Sequence, residues 1–104
     1  MEPEGGSSVH YVLLMKLTPE GVKDAKAIPE RIGAGIKAWE AMGGKVLSFL
    51  VTFGEYDYVA VGDGPSDEAA AAFALALASQ GQVTTTTLRG FTPEEFAGVV
   101  AAIP

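Results

Sequence analysis

The chain has 104 residues, of which 48% are hydrophobic and 19% are charged, and its formal net charge is -6. A chain of this length fits one domain with one core, and an acidic balance with no Lys/Arg cluster excludes the electrostatic attraction on which most nucleic-acid binding depends. Because the sequence has no cysteine and one histidine, it offers no disulfide and no metal site built from cysteine or several histidines, and we predict neither a metal nor a cofactor.

The first segment is MEPEGGSS, which is acidic, rich in Gly and Ser and without hydrophobic periodicity. This composition predicts a disordered acidic tail at residues 1–8, followed by a single domain at residues 9–104. The apolar run HYVLLMKL then predicts a strand at residues 10–17. The Thr-Pro-Glu that follows supplies an N-cap, a first-turn proline and a first-turn acid, so a helix should begin at Pro19.

The first helical region contains Pro29, which has no amide hydrogen and clashes with the preceding turn. We therefore predict a break near Ile28 and a second helical piece from about Glu30. The large apolar residues of that second piece, Trp39 among them, lie at helical spacing and predict a stripe that faces the core. A cavity wall is the alternative interpretation for Trp39.

Two further runs of strand-forming residues, KVLSFLVTF at 45–53 and YDYVAVG at 56–62, are separated only by Gly54-Glu55. A two-residue connector with glycine first predicts a type II′ hairpin turn between antiparallel strands. On that register Tyr56 and Tyr58 share one face of the second strand. We interpret them as anchors of a subunit interface, with hydroxyls that orient a ligand as the alternative.

The rest of the chain predicts a helix over DEAAAAFALALAS, a strand over QVTTTTLRG and a final helix that FTPEEF opens with a capping box. The order β-α-β-β-α-β plus a C-terminal helix predicts an α+β fold of the ferredoxin-like type, with one four-stranded antiparallel sheet and helices on one face. In a chain this apolar the other face should meet the same face of a second subunit. We therefore expect a homodimer, or a higher oligomer, that closes a dimeric α/β barrel.

No apolar run reaches the ~20 residues that a membrane span needs, and the N-terminus lacks the basic-then-apolar order of a signal peptide. We therefore expect a cytoplasmic protein with neither a membrane nor a nucleic acid as its partner. The partners that fit the sequence are a second copy of the chain and a small molecule.

Several segments together resemble one known family. They are YVLLMKLTPEG near the start, GGK before the second strand, FGEYDYVAV, DEAAAAFALALASQG and TTTTLRGFTPEEF. The pattern is similar to the GYD-domain family, named for a Gly-x-Tyr-Asp motif that corresponds here to Gly54, Tyr56 and Asp57. This resemblance covers nearly the whole chain after the tail. It implies a ferredoxin-like dimeric α/β barrel and supplies no function.

A weaker resemblance is to the effector-binding module of leucine-responsive regulators, which also has a Gly-x-x-Asp hairpin between its central strands. It implies a sensor that binds amino acids between subunits, with Gly54 and Asp57 at or near the ligand. Because no helix-turn-helix domain stands in front, the chain would on this resemblance be a stand-alone sensor. By fold alone the chain also resembles small barrel monooxygenases and haem-degrading enzymes, although it matches no motif of theirs.

Two residues are candidates for acid–base catalysis. His10 is the only histidine, the residue type that most often moves protons near neutral pH, and the alternative is a solvated side chain at a strand end. Asp57 is a candidate general base or ligand anchor, and the alternative is a carboxylate that bonds backbone amides and fixes the hairpin. We favour the structural alternative for both residues.

The candidate ligand-binding residues come from the hairpin and from the last strand. The four-threonine run places two hydroxyls on each face of the sheet. Arg89, just beyond it, would either hold a ligand carboxylate with two hydrogen bonds or form a surface ion pair. The predicted ligand-binding residues, which would lie between the sheets of the dimer or at its rim, are Gly54, Tyr56, Asp57, Tyr58, Thr85, Thr87 and Arg89.

Three functions fit these observations. The favoured one is a homo-oligomeric small-molecule-binding or regulatory protein, because the residues form no catalytic constellation. The alternatives are a cofactor-independent barrel enzyme, similar to a monooxygenase or isomerase, that uses His10 or Asp57 with the tyrosines, and a purely structural assembly protein. The sequence leaves open whether the chain is an enzyme.

Overall fold

The computed structural model describes residues 9–104, and the predicted tail at residues 1–8 lies outside the described residues. The strands are β1 (Val9–Leu17), β2 (Lys45–Val51), β3 (Tyr58–Gly64) and β4 (Val83–Gly90). The α-helices are α1 (Pro19–Lys23), α2 (Ile28–Ala41), α3 (Asp67–Ser79) and α4 (Pro93–Ala101), and a short 3-10 helix at Ala25–Ala27 joins α1 to α2.

The strands form one antiparallel sheet in the order β2-β3-β1-β4. β1 is central, because Leu13 pairs with Ala60 of β3 on one side and with Thr87 of β4 on the other. This topology confirms the predicted α+β fold, with its βαββαβ order and additional C-terminal helix. None of the helices in residues 9–104 has the length and apolar character needed to cross a membrane.

The sheet has one face covered by helices and one that is not. On the covered face Tyr11 and Met15 are only 5% and 6% exposed, and Tyr58 pairs with Met15 there. Residues that alternate with these along the strands point to the opposite side, as the period of two requires. We call that side the open face; its apolar side chains come from all four strands and include Val12, Leu14, Leu50, Val59 and Leu88.

The predicted two-residue hairpin between β2 and β3 is wrong. β3 begins at Tyr58, and the connection is a wider loop at residues 52–57. Thr52 closes this loop, because its amide donates to the carbonyl of Asp57 at 2.8 Å and its hydroxyl donates to the carbonyl of Tyr56 at 2.6 Å. Gly54 still has the positive φ of 127° that favours glycine, but it lies within the wider loop.

Asp57 lies outside the β2–β3 ladder because it binds the end of β1. Its amide donates to the carbonyl of Met15 at 2.8 Å, and its carboxylate accepts the amide hydrogen of Leu17 at 2.7 Å. The structure therefore confirms that this carboxylate binds a backbone amide, although the amide belongs to β1 and not to the hairpin. The consequence is that Tyr56 and Tyr58 no longer lie on one strand.

The break in the first helical region falls earlier than predicted. α1 ends at Lys23, and Asp24 adopts φ -114° and ψ 59°, outside the helical range. α2 then begins at Ile28 and has Pro29 in its first turn, where the missing amide hydrogen removes no intrahelical bond. Pro29 therefore starts a helix and does not end one.

Trp39 fixes α2 against the sheet; it is a core residue as predicted, and it is also the cavity wall given as the alternative. Its side chain is 7% exposed, and its indole Nε1 donates to the carbonyl of Asp63 at 3.1 Å. The indole ring lies directly over glycines, because a Cβ added at Gly44 or Gly64 would stand 2.2 or 2.6 Å from its atoms. Only the absence of a side chain at these positions lets the helix and the sheet come this close.

Substitution of Gly64 by alanine tests this packing. The added methyl group would overlap the indole of Trp39, so we expect Gly64→Ala to lower the free energy of unfolding by about 1–3 kcal/mol. Gly33→Ala is the matched control, because a Cβ there meets nothing within 4 Å, and alanine in a helix should raise stability by about 1 kcal/mol. Urea unfolding followed by tryptophan fluorescence measures both, and equal stability of the two variants would contradict the described packing.

Candidate functional site

A cavity of about 120 Å³ lies between the covered face of the sheet and helices α2 and α3. Its walls are mainly apolar and aromatic, with strand and helix residues that include Met15, Phe49, Tyr58, Ile36, Trp39 and Phe73. Two tilted aromatic pairs frame it, since the ring centroids of Trp39 and Phe73 are 5.1 Å apart and those of Phe49 and Tyr58 are 5.5 Å apart. The cavity therefore suits an apolar or aromatic molecule.

The cavity exists because the core-facing stripe of α2 contains a glycine. Ile32, Ile36 and Trp39 project from this stripe, and Gly35 shares it at the helical spacings of three and four residues. Gly35 lines the cavity, and a Cβ built on it meets nothing within 4 Å. A larger residue at this position would fill the space that the glycine leaves.

Tyr58 places a buried hydroxyl group in the cavity wall. Its side chain is 6% exposed, and within residues 9–104 its hydroxyl has no hydrogen-bond partner. Burial raises the pKa of Tyr58, the positive charge of Arg31 partly offsets that rise, and the negative charge of Asp57 adds to it. The hydroxyl therefore keeps its proton at neutral pH and presents an unused donor.

The other two buried ring donors of the cavity wall are already used. The hydroxyl of Tyr11 donates to Asp67 at 2.5 Å, and the indole nitrogen of Trp39 donates to the carbonyl of Asp63 at 3.1 Å. This leaves the Tyr58 hydroxyl as the donor inside the cavity that has room for a ligand acceptor.

The lining is polar and most exposed where α2 begins and α3 ends, which marks this end as the mouth of the cavity. Half-buried Arg31, exposed Gln80 and half-buried Gln82 line the cavity there. One guanidinium nitrogen of Arg31, Nη2, donates to the carbonyl of Gly21 at 2.9 Å. Among the ion pairs formed within residues 9–104, none involves Arg31.

His10 lies at the opposite end of the sheet, and its interpretation as a solvated strand end is wrong. Its Nδ1 is 2.5 Å from a carboxylate oxygen of Asp63, and its Nε2 is 3.5 Å from a carboxylate oxygen of Glu95. Glu95 also caps its own helix, because it accepts the amide hydrogen of Thr92 at 2.8 Å. The imidazole therefore joins the start of α4 to the sheet, and it does not line the cavity.

Of the predicted ligand-binding residues, only Tyr58 lines the cavity. Its interpretation as an anchor of a subunit interface is wrong, because the side chain is buried beneath the helices. Tyr56 lies in the loop, with the Lys16 ammonium 5.5 Å from its ring centroid. The remaining predicted residues are Gly54 and Asp57, which lie in the same loop, and Thr85, Thr87 and Arg89, which lie on β4.

The β4 candidates lie on the covered side of the sheet and not between two sheets. Thr85, Thr87 and Arg89 pair with Met15, Leu13 and Tyr11, whose side chains lie beneath the helices. Arg89 forms the surface ion pair given as its alternative, with its Nε 3.7 Å from Asp67. Its guanidinium also lies 4.5 Å from the ring centroid of Phe91.

Sequence reasoning missed Arg31 and Gly35. The signal for Gly35 was its place on the stripe of Ile32, Ile36 and Trp39, where a glycine leaves a gap. Arg31 carried no such signal, because its approach to Gly21 depends on how α1 packs. In the part of the chain that the structure describes, no group of three or more His, Asp or Glu side chains is placed to hold a metal ion.

Comparison with known proteins identifies a family and no function. A family model described as GYD domain matches residues 11–100 of the chain. No curated protein matches the chain, and no solved structure does.

The Tyr11–Asp67 hydrogen bond predicts how stability changes at alkaline pH. Burial, this hydrogen bond and the charge of Asp67 raise the pKa of Tyr11 from 10.0 to about 12. The folded state therefore favours the protonated phenol. The contribution of Tyr11 to the free energy of unfolding is complete below pH 10.0 and is lost as the pH rises to about 12.

In Tyr11→Phe the free energy of unfolding should decrease less steeply with pH over this range. At neutral pH it should be about 1 kcal/mol lower than in the parent protein. Denaturant titrations at a series of alkaline pH values measure the slope. Tyr56→Phe, in the loop, is the control and should keep the slope of the parent. An unchanged slope in Tyr11→Phe would contradict the assignment.

Proposed function

We propose that this chain, which belongs to the GYD domain family, is a homo-oligomeric small-molecule-binding protein whose ligand occupies the cavity between the sheet and helices α2 and α3. The observation that carries the proposal is the hydroxyl of Tyr58, buried in an apolar wall and without a partner in residues 9–104. A buried donor left unpaired costs about 1–3 kcal/mol, and a ligand acceptor would recover part of that cost.

The size of the cavity limits the ligand to about one ring. Sites for drug-sized molecules measure roughly 300–1,000 Å³, whereas this cavity measures about 120 Å³. An engineered apolar cavity of about 150 Å³ in another protein binds benzene. A monocyclic ligand with one hydrogen-bond acceptor therefore fits both the volume and the single free hydroxyl.

The groups around the cavity favour binding over catalysis. Among the described residues that line it there is no histidine, aspartate or glutamate. His10 is engaged by Asp63 and Glu95 at the other end of the sheet, and Asp57 holds the amide of Leu17. The acid–base candidates of the chain therefore lie away from a ligand in this cavity, which supports a sensor or carrier role.

The open face supports self-association. It is apolar in all four strands, and Leu50 and Leu88 are 59% and 47% exposed there. The last helix, α4, has further exposed apolar side chains at helical spacing, namely Phe96, Val99 and Val100, and exposed Ile103 follows its end. Large exposed apolar surfaces mark interaction sites, and a two-fold axis would place the open face of one copy on that of another.

Binding of benzamide tests the ligand proposal. Its ring fits the cavity and its carbonyl can accept from Tyr58, so we expect Tyr58→Phe to weaken binding about 3–10-fold. Gly35→Leu should abolish binding while the fold is kept, because the added side chain occupies the cavity. Gly33→Leu, on the same helix outside the cavity lining, is the matched control. Calorimetry measures each affinity, and binding that survives Gly35→Leu would place the ligand elsewhere.

Light scattering tests self-association. Leu88→Lys puts a charge on the open face and should convert the dimer into a monomer, because an unpaired buried charge is costly. Val22→Lys is the matched control, since Val22 lies on α1 away from the open face and is 54% exposed against 47% for Leu88. A monomeric parent protein, or a Leu88→Lys variant with the mass of the parent dimer, would contradict association through this face.

A further inference from the structure

We infer that the ligand of the cavity is a single-ring aromatic carboxylate, and that the guanidinium of Arg31 selects it by binding the carboxylate at the cavity mouth. The inference rests on the proposed function and specifies its ligand class. It follows from the charge, the free donors and the fixed position of Arg31.

The charge at the mouth of the cavity is positive. Arg31 is the one positively charged residue among the described residues that line the cavity, and no aspartate or glutamate lines it. Within residues 9–104 no carboxylate is paired with its guanidinium. A positive charge that no carboxylate of residues 9–104 neutralises, placed at the entrance of an apolar cavity, favours an anionic group on the ligand and disfavours an amine. This holds although the whole chain has a net charge of -6, because distant charges are screened by salt.

Arg31 has N–H donors beyond the one that is bonded to Gly21. A guanidinium carries five N–H donors in a planar fork, and the structure uses Nη2 for the carbonyl of Gly21 at 2.9 Å. The fork matches a carboxylate, whose two oxygens accept two parallel hydrogen bonds. Gln80 and Gln82 line the same end of the cavity, and their amide groups are of a type that can donate to the outer oxygen. A neutral amide would lack the charge and would use fewer of these donors.

The Gly21 carbonyl that accepts from Arg31 is itself held in place. Gly21 is buried, and a Cβ added to it would stand 2.1 Å from the carbonyl oxygen of Gln82. Thr18 fixes the same segment, because its amide donates to Gln82 at 3.0 Å and its hydroxyl donates to Gly81 at 2.7 Å. The Gly21 carbonyl that orients Arg31 therefore belongs to α1, a short helix whose N-cap is hydrogen-bonded to the residues just before β4. A guanidinium held in this way loses little freedom when a ligand binds.

Arg31 and Tyr58 line the same cavity. The positive charge of Arg31 acts against the rise in the pKa of Tyr58 that burial and the negative charge of Asp57 cause. A carboxylate bound to Arg31 would enter a cavity in which the Tyr58 hydroxyl is a further donor. The ring of the same molecule would then lie among Ile36, Trp39 and Phe73, where tilted aromatic contacts favour a flat ring over a chain of equal volume.

Calorimetric titration of the full chain with three ring compounds of similar size tests the inference. The compounds are benzoate, benzamide and benzylamine, which carry a negative, a neutral and a positive group on one ring. We expect benzoate to bind about tenfold or more tightly than benzamide, and benzylamine to bind more weakly than benzamide. The advantage of benzoate should shrink as salt is added, because it comes from a partly exposed charge.

The variant Arg31→Gln should remove the preference for benzoate and change the affinity for benzamide by no more than about twofold. Arg31→Lys should keep only part of the preference, since an ammonium cannot form the two parallel bonds. Circular dichroism establishes that each variant is folded. If Arg31→Gln does not fold, the benzoate-to-benzamide ratio of the parent and its salt dependence still decide the question.

The outcomes separate this inference from the proposed function. Equal affinity of the parent for benzoate and benzamide would overturn the role of Arg31 and leave the cavity as a ligand site. A benzoate preference that persists in Arg31→Gln would also overturn it, because the carboxylate would then bind elsewhere. Failure of all three compounds to bind would overturn the proposed function together with the inference.

Discussion

The contact between Trp39 and the glycines of the sheet is the constraint on which the other features depend. Gly44 and Gly64 leave room for the indole, and its nitrogen bonds the backbone of Asp63 at 3.1 Å. This contact sets the distance of α2 from the sheet at one end of the helix. Toward the other end of α2 the same stripe contains Gly35, which has no side chain to fill the space between the helix and the sheet. A helix held close at one end and lacking a side chain one turn earlier leaves a cavity beneath it.

The two ends of the domain therefore have different roles. At the end where β1 begins, carboxylates satisfy His10, Tyr11 and Arg89, and these contacts join α3 and α4 to the sheet. At the end where β1 finishes, Tyr58 and Arg31 keep donors that residues 9–104 do not fill. Satisfied polar networks stabilise a fold, whereas donors left unused beside an apolar space favour a ligand. The proposed ligand site lies at that second end.

Local sequence patterns predicted the features that depend on hydrogen bonds between residues close in the chain, such as the N-caps of the helices. The N-caps at Thr18 and Thr92 form as their residue types predict. The hairpin prediction failed because Asp57 bonds Leu17, which is 40 positions away, and this bond moves the start of β3 to Tyr58. The position of Arg31 could not be predicted for the same reason, since its acceptor belongs to a helix placed by tertiary contacts. The gap at Gly35 was readable from the α2 stripe, but the polar groups around it were not.

The most direct test of the account is where a ring compound lies when it is bound. Nuclear Overhauser effects between the ring protons of benzoate and the side-chain protons of the labelled protein give this location. The account predicts effects to Ile36, Tyr58 and Phe73, which line the cavity beneath the helices. Effects confined to Val12, Leu14 and Leu88 on the open face would contradict it and would place the ligand between the sheets of two subunits.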